Sequence, residues 1–326
     1  MDRISAEQLP EVIALATRAP SIHNTQPWRF AAADGVIDVY ADRGRKLPVM
    51  DPTGRQLLIS CGGAVCYARL GVRAAGYAVR VELLPTPADP DHLARLTVGD
   101  PLSTTDDERA LLAAIPHRHT NRLPFEDREV PTALIAELEH RASLEGAWLR
   151  LIEQSSDQMT TVVLLSHADE AQRLDPAYRE ELESWLRFDA GAADGVPATA
   201  VPHVGEGAER RSAFVLRDFD LRGEGALPIH GQQVERPVVV LLGTDGDGPA
   251  DWLRAGQALV HVLLRATVDG VAASPLNQVL DIPALRTQLR GQLHVMGFPQ
   301  MLLRMGYGRE ATATSRRPVD EVTIDR

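Results

Sequence analysis

The residues best suited to chemistry in this 326-residue chain lie in two short stretches and a tail. Residues 19–30 read Ala-Pro-Ser-Ile-His-Asn-Thr-Gln-Pro-Trp-Arg-Phe. Ser21, His23, Asn24, Thr25, Gln26, Trp28 and Arg29 all offer side-chain donors there, bracketed by Pro20 and Pro27. Proline fixes φ and biases the residue before it away from helix. The stretch therefore reads as a rigid loop presenting polar groups, a common setting for binding residues. A well-capped helix-to-strand connection has the same composition. The second stretch is Arg118-His119-Thr120-Asn121-Arg122. Two guanidinium forks and a hydroxyl suit a dianionic phosphate, although a solvated basic loop reads alike. Arg316-Arg317-Pro318 lies in the tail. No G-x-S-x-G, H-E-x-x-H, P-loop or strand-following G-x-G-x-x-G occurs, and no paired-carboxylate pattern rises above background. No side chain is assigned as catalytic. His23, His117 and His119 read as structural.

Hydrophobic spacing places elements around these stretches. A helix is expected over residues 5–18, with Ser5 and Gln8 as a capping box and Leu9, Val12, Ile13 and Ala16 on one face. The donor loop follows, then a strand at 36–40. A long helix starting at Thr53 buries Leu57, Leu58, Cys61, Ala64, Val65, Ala68 and Val72 and stops at Gly76. Strands are expected at 79–84 and 93–98, a helix over 105–115, a helix over 131–142 and a strand at 147–152. Further on come a buried strand at 237–243, a helix over 250–268, a strand end and turn at 272–277, a helix over 282–289 and a final strand at 299–307.

Two of these helices echo each other. Gly62-x-Ala64 with Gly76 matches Gly256-x-Ala258 with Gly270, and both offsets are 194 (256 − 62 and 270 − 76). A weaker echo links Arg18-Ala19-Pro20-Ser21 and Trp28 to Arg141-Ala142-Ser143 and Trp148. Helices often stop at glycine, which would give part of this match; a diverged duplication gives all of it. From Trp28 to Gly62 is 34 residues and from Trp148 to Gly256 is 108. The second copy thus holds about 74 extra residues between roughly 155 and 235. They include an expected helical stripe of Leu174, Tyr178, Leu182, Trp185 and Leu186 and a Gly/Pro/Ala-rich run from Ala190 to Gly207. Long insertions of this kind are lids, binding loops or peripheral elements, and Tyr178–Gly207 is read as a lid.

Composition narrows the classes further. Net charge is −11 with 44% hydrophobic residues, and lysine is almost absent beside arginine. A nucleic acid or an anionic membrane surface is a poor partner for that balance. Cys61 and Cys66 fit neither a redox pair nor a zinc set and read as buried apolar residues of a reducing cytosol. The first nine residues do not read as a signal peptide, and no apolar run is expected to span a membrane. The expected location is cytoplasmic.

Pro20-Ser21-x-x-Asn24-x-Gln26-Pro27-Trp28 resembles the flavin-contacting loop of the nitroreductase family, and His23 and Arg29 make it most similar to the Acg-like mycobacterial branch. Arg118-His119-Thr120-x-Arg122 resembles that family's phosphate-binding signature. The resemblance implies an α+β fold of two related halves fused as a pseudo-dimer, 1–115 and 116–326, the second carrying the lid. It implies FMN, one per chain, with NAD(P)H as electron donor and a nitroaromatic or quinone-like small molecule as acceptor. It also implies an alternative: an FMN-binding or FMN-storing protein whose lid closes over the flavin, with little or no turnover. Carried over residue by residue, Pro20, Ser21 and Asn24 line the flavin, and Gln26, Pro27, Trp28, Arg29 and Phe30 continue that wall. Arg118, Thr120 and Arg122 take the phosphate end, Ser274, Pro275 and Leu276 lie against the ring, and Arg316 or Arg317 completes the clamp. Asn277-Gln278 departs from the family's glycine-rich form. The fused chain is expected as a monomer or a homodimer.

Overall fold

A computed structural model describes residues 4–5, 8–189, 191–203, 214, 216–220, 225, 227–228 and 235–325. Residues 6 and 7 of the expected first helix, and Ala190 and 204–207 of the expected lid, lie outside them.

Helix α1 (Gln8–Ala16) buries Leu9, Val12, Ile13 and Ala16. Ser5 N donates to Gln8 Oε1 (2.9 Å) and Gln8 N to Ser5 Oγ (3.3 Å), the reciprocal cap expected. Strands β1 (Trp28–Ala33) and β2 (Val36–Ala41) pair antiparallel. They are joined by Asp34 and Gly35, both with positive φ, as a two-residue hairpin turn requires. Helix α2 (Arg55–Ala74) follows, then β3 (Tyr77–Leu83), β4 (His92–Pro101) and α3 (Asp106–Ala114), capped by Thr105 and Glu108. The second half contains α4 (Thr132–Ser143), β5 (Trp148–Leu151), α5 (Ser155–Leu174), α6 (Pro176–Ser184), β6 (Val238–Thr244) and α7 (Pro249–Val268). It closes with β7 (Ala272–Pro275), α8 (Gln278–Asp281), α9 (Pro283–Gln292), β8 (Phe298–Gly306) and α10 (Val319–Val322).

Each half builds a four-stranded antiparallel sheet. The first runs β1-β2-β4-β3 and the second, in corresponding order, β5-β6-β8-β7. The two long helices pack on each other between these sheets, and the paired glycines explain how. A Cβ on Gly256 would sit 2.0 Å from the Ile59 carbonyl oxygen, and one on Gly62 would sit 2.2 Å from that of Leu253. Only glycine lets the two backbones approach this closely. Gly76 (φ +88) and Gly270 (φ +73) follow α2 and α7 in the left-handed region.

Three expectations are corrected. Trp28-Arg29-Phe30, read within the loop, begins the strand Trp28–Ala33: Trp28 and Phe30 point into the core while Arg29 points out. That alternation is short and hidden among donor residues. Leu174, assigned to an apolar stripe, is 65% exposed, because α5 ends there and Asp175 caps a new helix by accepting from the Ala177 and Tyr178 amides. By length and composition α2 does qualify as a membrane span, yet it is buried within the fold. Cys61 and Cys66 are buried and free.

Where β1 and β2 are joined by two residues, residues 152–237 separate β5 from β6. This insert packs across onto the first half. Tyr178, Leu182, Leu186, Val196, Val201 and Phe219 form one apolar cluster with Leu47 and Met50. Glu181 accepts from the Val49 (2.9 Å) and Met50 (2.7 Å) amides, and Asp194 pairs with Arg45. The tail also returns to the first half: Ile324 N donates to Phe30 O at 2.9 Å.

Candidate functional site

The donor loop is strained in the described structure. His23 (φ 45), Asn24 (φ 56) and Gln26 (φ 49) all adopt left-handed conformations, which costs free energy in non-glycine residues and clusters at binding sites. Ser21 Oγ accepts from Gln26 N at 2.9 Å, and Ser60 Oγ of α2 accepts from Ile22 N at 3.1 Å. These bonds turn Pro20, Ser21 and His23 towards a cavity.

Opposite the loop, the 118–122 segment lies along β7. Asn121 N donates to Ala273 O at 3.0 Å, and Thr120 bridges Ala273 in parallel. Arg118, Thr120 and Arg122 therefore line the same cavity as Ser274 and Pro275. Ile59 of α2 and Leu259 and Leu263 of α7 supply apolar wall, and the insert closes one side with Pro202, Leu216, Arg217 and Phe219.

The other assigned residues sit elsewhere. Trp28, Phe30 and Leu276 are fully buried core. Pro27 accepts from Cys61 Sγ, and Arg29 pairs with Asp42 at 3.2 Å. The amides of Asn24 and Gln26 do not reach the cavity either. Asn24 Nδ2 donates to Gly195 O (3.1 Å) and Ser315 O (3.2 Å). Gln26 Nε2 donates to Ala193 O (2.8 Å), and its Oε1 accepts from Arg317 N (2.8 Å). Both tie the loop to the insert and the tail. Arg317 makes further contacts to Gln26 O and Glu321.

Arg118, Arg122 and Arg316 have no carboxylate partner among the described residues. Arg118 Nε donates to Tyr67 Oη at 3.2 Å. Arg122 donates to Ala200 O at 3.3 Å, and its guanidinium lies 4.7 Å from the Phe219 ring centre. Arg316 donates to neutral oxygens of Thr314, Ser315 and Arg18. Burial, then Arg217 and Arg304, push Arg122 down to about 10. Burial, then Arg118, push Arg316 down to about 9. The cations thus divide, Arg118 with Arg316 and Arg122 with Arg217. Uncompensated buried charge is costly, so this donor set fits a ligand with an anionic group near Arg118 and a flat body along the apolar walls.

Arg217 and Phe219 are functional candidates that sequence reasoning missed, and His23, read there as structural, joins them. Arg217 Nη1 lies 2.8 Å from His23 Nε2, and its Nη2 donates to Asp281 Oδ2 at 2.6 Å. Nothing in the spacing of the insert signals that Arg217 reaches a loop 194 residues earlier. Met50 Sδ is a further neighbour of that guanidinium.

No family model matches the chain. Curated relatives do. The Mycobacterium tuberculosis protein Acg, provisionally named an NAD(P)H nitroreductase, is 32% identical over 98% of this chain and 96% of its own. Rv3131 of the same organism, named likewise, is 34% identical over 93% of this chain and 86% of its own. Among solved structures, the FMN-dependent nitroreductase NfnB from Mycobacterium smegmatis in complex with NADPH aligns over 68% of this chain and 95% of that one, at 18% identity and a TM-score of 0.37. With a third of its residues shared with Acg and Rv3131 along nearly the whole length, the chain belongs to the nitroreductase family, in its Acg-like branch.

Proposed function

We propose that the chain is an FMN-dependent NAD(P)H oxidoreductase that passes reducing equivalents to a nitro or quinone acceptor. The observation that carries this reading is the convergence of Pro20 and Ser21, Arg118 and Thr120, and Ser274 and Pro275 on one cavity in which Arg118 and Arg122 lack carboxylate partners among the described residues. Bound FMN supplies the redox chemistry; the protein supplies orientation and charge. In this reading Arg118 and Thr120, with Arg316, hold the phosphate, and Ser274-Pro275 and Ser21 flank the ring. Arg122 lies beside Phe219 and Arg217, away from Arg316, and supplies positive charge at the other end of the cavity. We also read the chain as a fused pseudo-dimer of halves 1–115 and 116–326, with one FMN per chain, in the cytoplasm.

The visible spectrum of the purified protein, before and after anaerobic NADPH and NADH, tests this. A flavin spectrum that bleaches supports it; no flavin after reconstitution with FMN overturns it.

The second reading, FMN storage beneath a closed lid, is favoured by the docking of the insert. Glu181, Asp194 and Arg217 all anchor it, and four of its residues wall the cavity. A flavin spectrum that persists with nicotinamide, and bleaches once the insert is shortened, supports storage. An FMN-replete shortened variant that still resists reduction rejects it.

A further inference from the structure

We propose that His23, together with Arg122, is a donor site that selects ligands presenting an oxygen acceptor — a quinone carbonyl, a nitro group or a carboxylate — at the end of the cavity walled by the insert. The inference deepens the oxidoreductase reading and rests on it for the ligand's role as electron acceptor.

The tautomer of His23 follows from its partner. A guanidinium has N–H donors and no acceptor. Arg217 Nη1 sits 2.8 Å from His23 Nε2, so Nε2 accepts and carries no proton. Burial, then Arg217 and Arg122, hold the imidazole well below its ordinary pKa, so the ring is neutral. Its one proton is therefore on Nδ1. That nitrogen is buried and has no hydrogen-bond partner among the described residues. His23 is 8% exposed and lines the cavity.

The ring is also held in place. It packs against Phe219 in a T-shaped pair, centroids 5.4 Å apart, and Arg217 is anchored by Asp281. An unmet buried donor is costly, and only a hydrogen-bond acceptor can satisfy this one. Arg122 adds donors beyond the bond it makes to Ala200 O among the described residues.

His261 shows what a structural histidine looks like in the same molecule. Arg69 Nη2 lies 3.3 Å from its Nε2, and Glu145 Oε1 lies 3.2 Å from its Nδ1. Its Nδ1, like that of His23, makes no hydrogen bond, but it has a carboxylate oxygen beside it. His23 Nδ1 has no carboxylate beside it among the described residues, and its residue lines the cavity. Phe219, Leu216 and Pro202 beside it suit the face of a planar ring, so the ligand class is an aromatic or quinonoid ring bearing oxygen.

The test uses the full chain labelled with 15N-histidine, His23 being assigned by the signal lost in His23→Gln, and benzoate as a redox-inert probe. We expect a neutral ring protonated on Nδ1 whose signal shifts saturably with benzoate. His23→Leu should weaken benzoate binding about 10- to 100-fold, the effect of one hydrogen bond to a charged group, with FMN content unchanged. His23→Gln, which keeps an acceptor for Arg217 and a donor for the ligand, should restore most of the affinity. A ring protonated on Nε2, or unchanged benzoate affinity in His23→Leu, overturns the proposal. Loss of FMN from His23→Leu also overturns it, by assigning the donor to the cofactor. The nitrogen signals and the benzoate titration are readable without flavin. Protein that never binds FMN therefore defeats the oxidoreductase reading separately.

Discussion

Leu263 of α7 and Arg69 of α2 stand 194 residues apart, the same offset as the paired glycines, on helices that cross at Gly62 and Gly256. Leu263 is cavity wall. Arg69 instead pairs with Glu145 and lies against His261. Two residues away, Tyr67 takes a bond from Arg118 of the cavity, while His261, its counterpart, joins the Arg69 cluster. On the Arg69 side α3 is tied down as well, through Arg73–Glu108 and Arg141–Asp107. The hairpins differ in the same sense: two residues join β1 to β2, whereas the long insert between β5 and β6 reaches over the cavity. The halves share strand order and helix crossing. Side chains and the insert together leave a cavity in one crevice, while ion pairs fill the other as a seam. A common backbone plan thus does not imply a common site.

The largest expected effect comes from breaking what the halves share. Gly256→Ala places a methyl group against the Ile59 carbonyl and should cost roughly 3 kcal/mol or more, read as a lowered thermal midpoint with both sheets affected. Separating the two crevices comes next. Arg69→Leu leaves Glu145, 7% exposed at its side chain, without its cation and should destabilise the chain by roughly 3 kcal/mol with FMN affinity intact. Arg118→Ala should do the reverse: stability nearly kept, FMN bound about 10- to 100-fold more weakly. Equilibrium dialysis with FMN and urea unfolding of both variants measure this crossed pattern; equal effects of the two substitutions would erase the distinction.

Smaller effects sharpen it. Glu181→Gln weakens the carboxylate caps on Val49 and Met50, by roughly 1 kcal/mol. Limited proteolysis should then cut the insert faster while the sheets stay protected. The smallest is a pH effect. Burial holds His261 down to about 4 against an ordinary 6.5, with Glu145 opposing and Arg69 assisting. The unfolded chain therefore binds the extra proton in that window, and stability falls as pH drops from 6.5 towards 4. His261→Gln should flatten this part of the urea-midpoint profile; an unchanged slope would show that His261 is not its source.

Much of the plan was legible because local rules carry it. Helices α2 and α7, with their glycine stops, follow from apolar spacing and positive φ. The Ser5–Gln8 and Thr105–Glu108 caps follow from residue type at fixed spacing. Pro20, Ser21, Arg118, Thr120, Ser274 and Pro275 were singled out from motifs, and the fold gathers them. Asn24, Gln26 and Arg317 were not separable from them by type. The same amide that can meet a ligand can equally tie down an insert, and a sequence does not say which partner is nearer. Trp28 and Phe30 were lost to the loop because two inward residues are too few to show a strand period.

Sequence by itself pointed to two related halves, to a long insertion between roughly 155 and 235, and to the residue types able to meet an anion, since these depend on spacing, offset and charge. Only the tertiary structure decided that Arg217 meets His23, that Leu263 faces a cavity while Arg69 fills a seam, and that Asn24 and Gln26 serve the insert. Those choices arise from contacts between residues far apart in the chain, where packing and desolvation select one partner among many of equal chemistry.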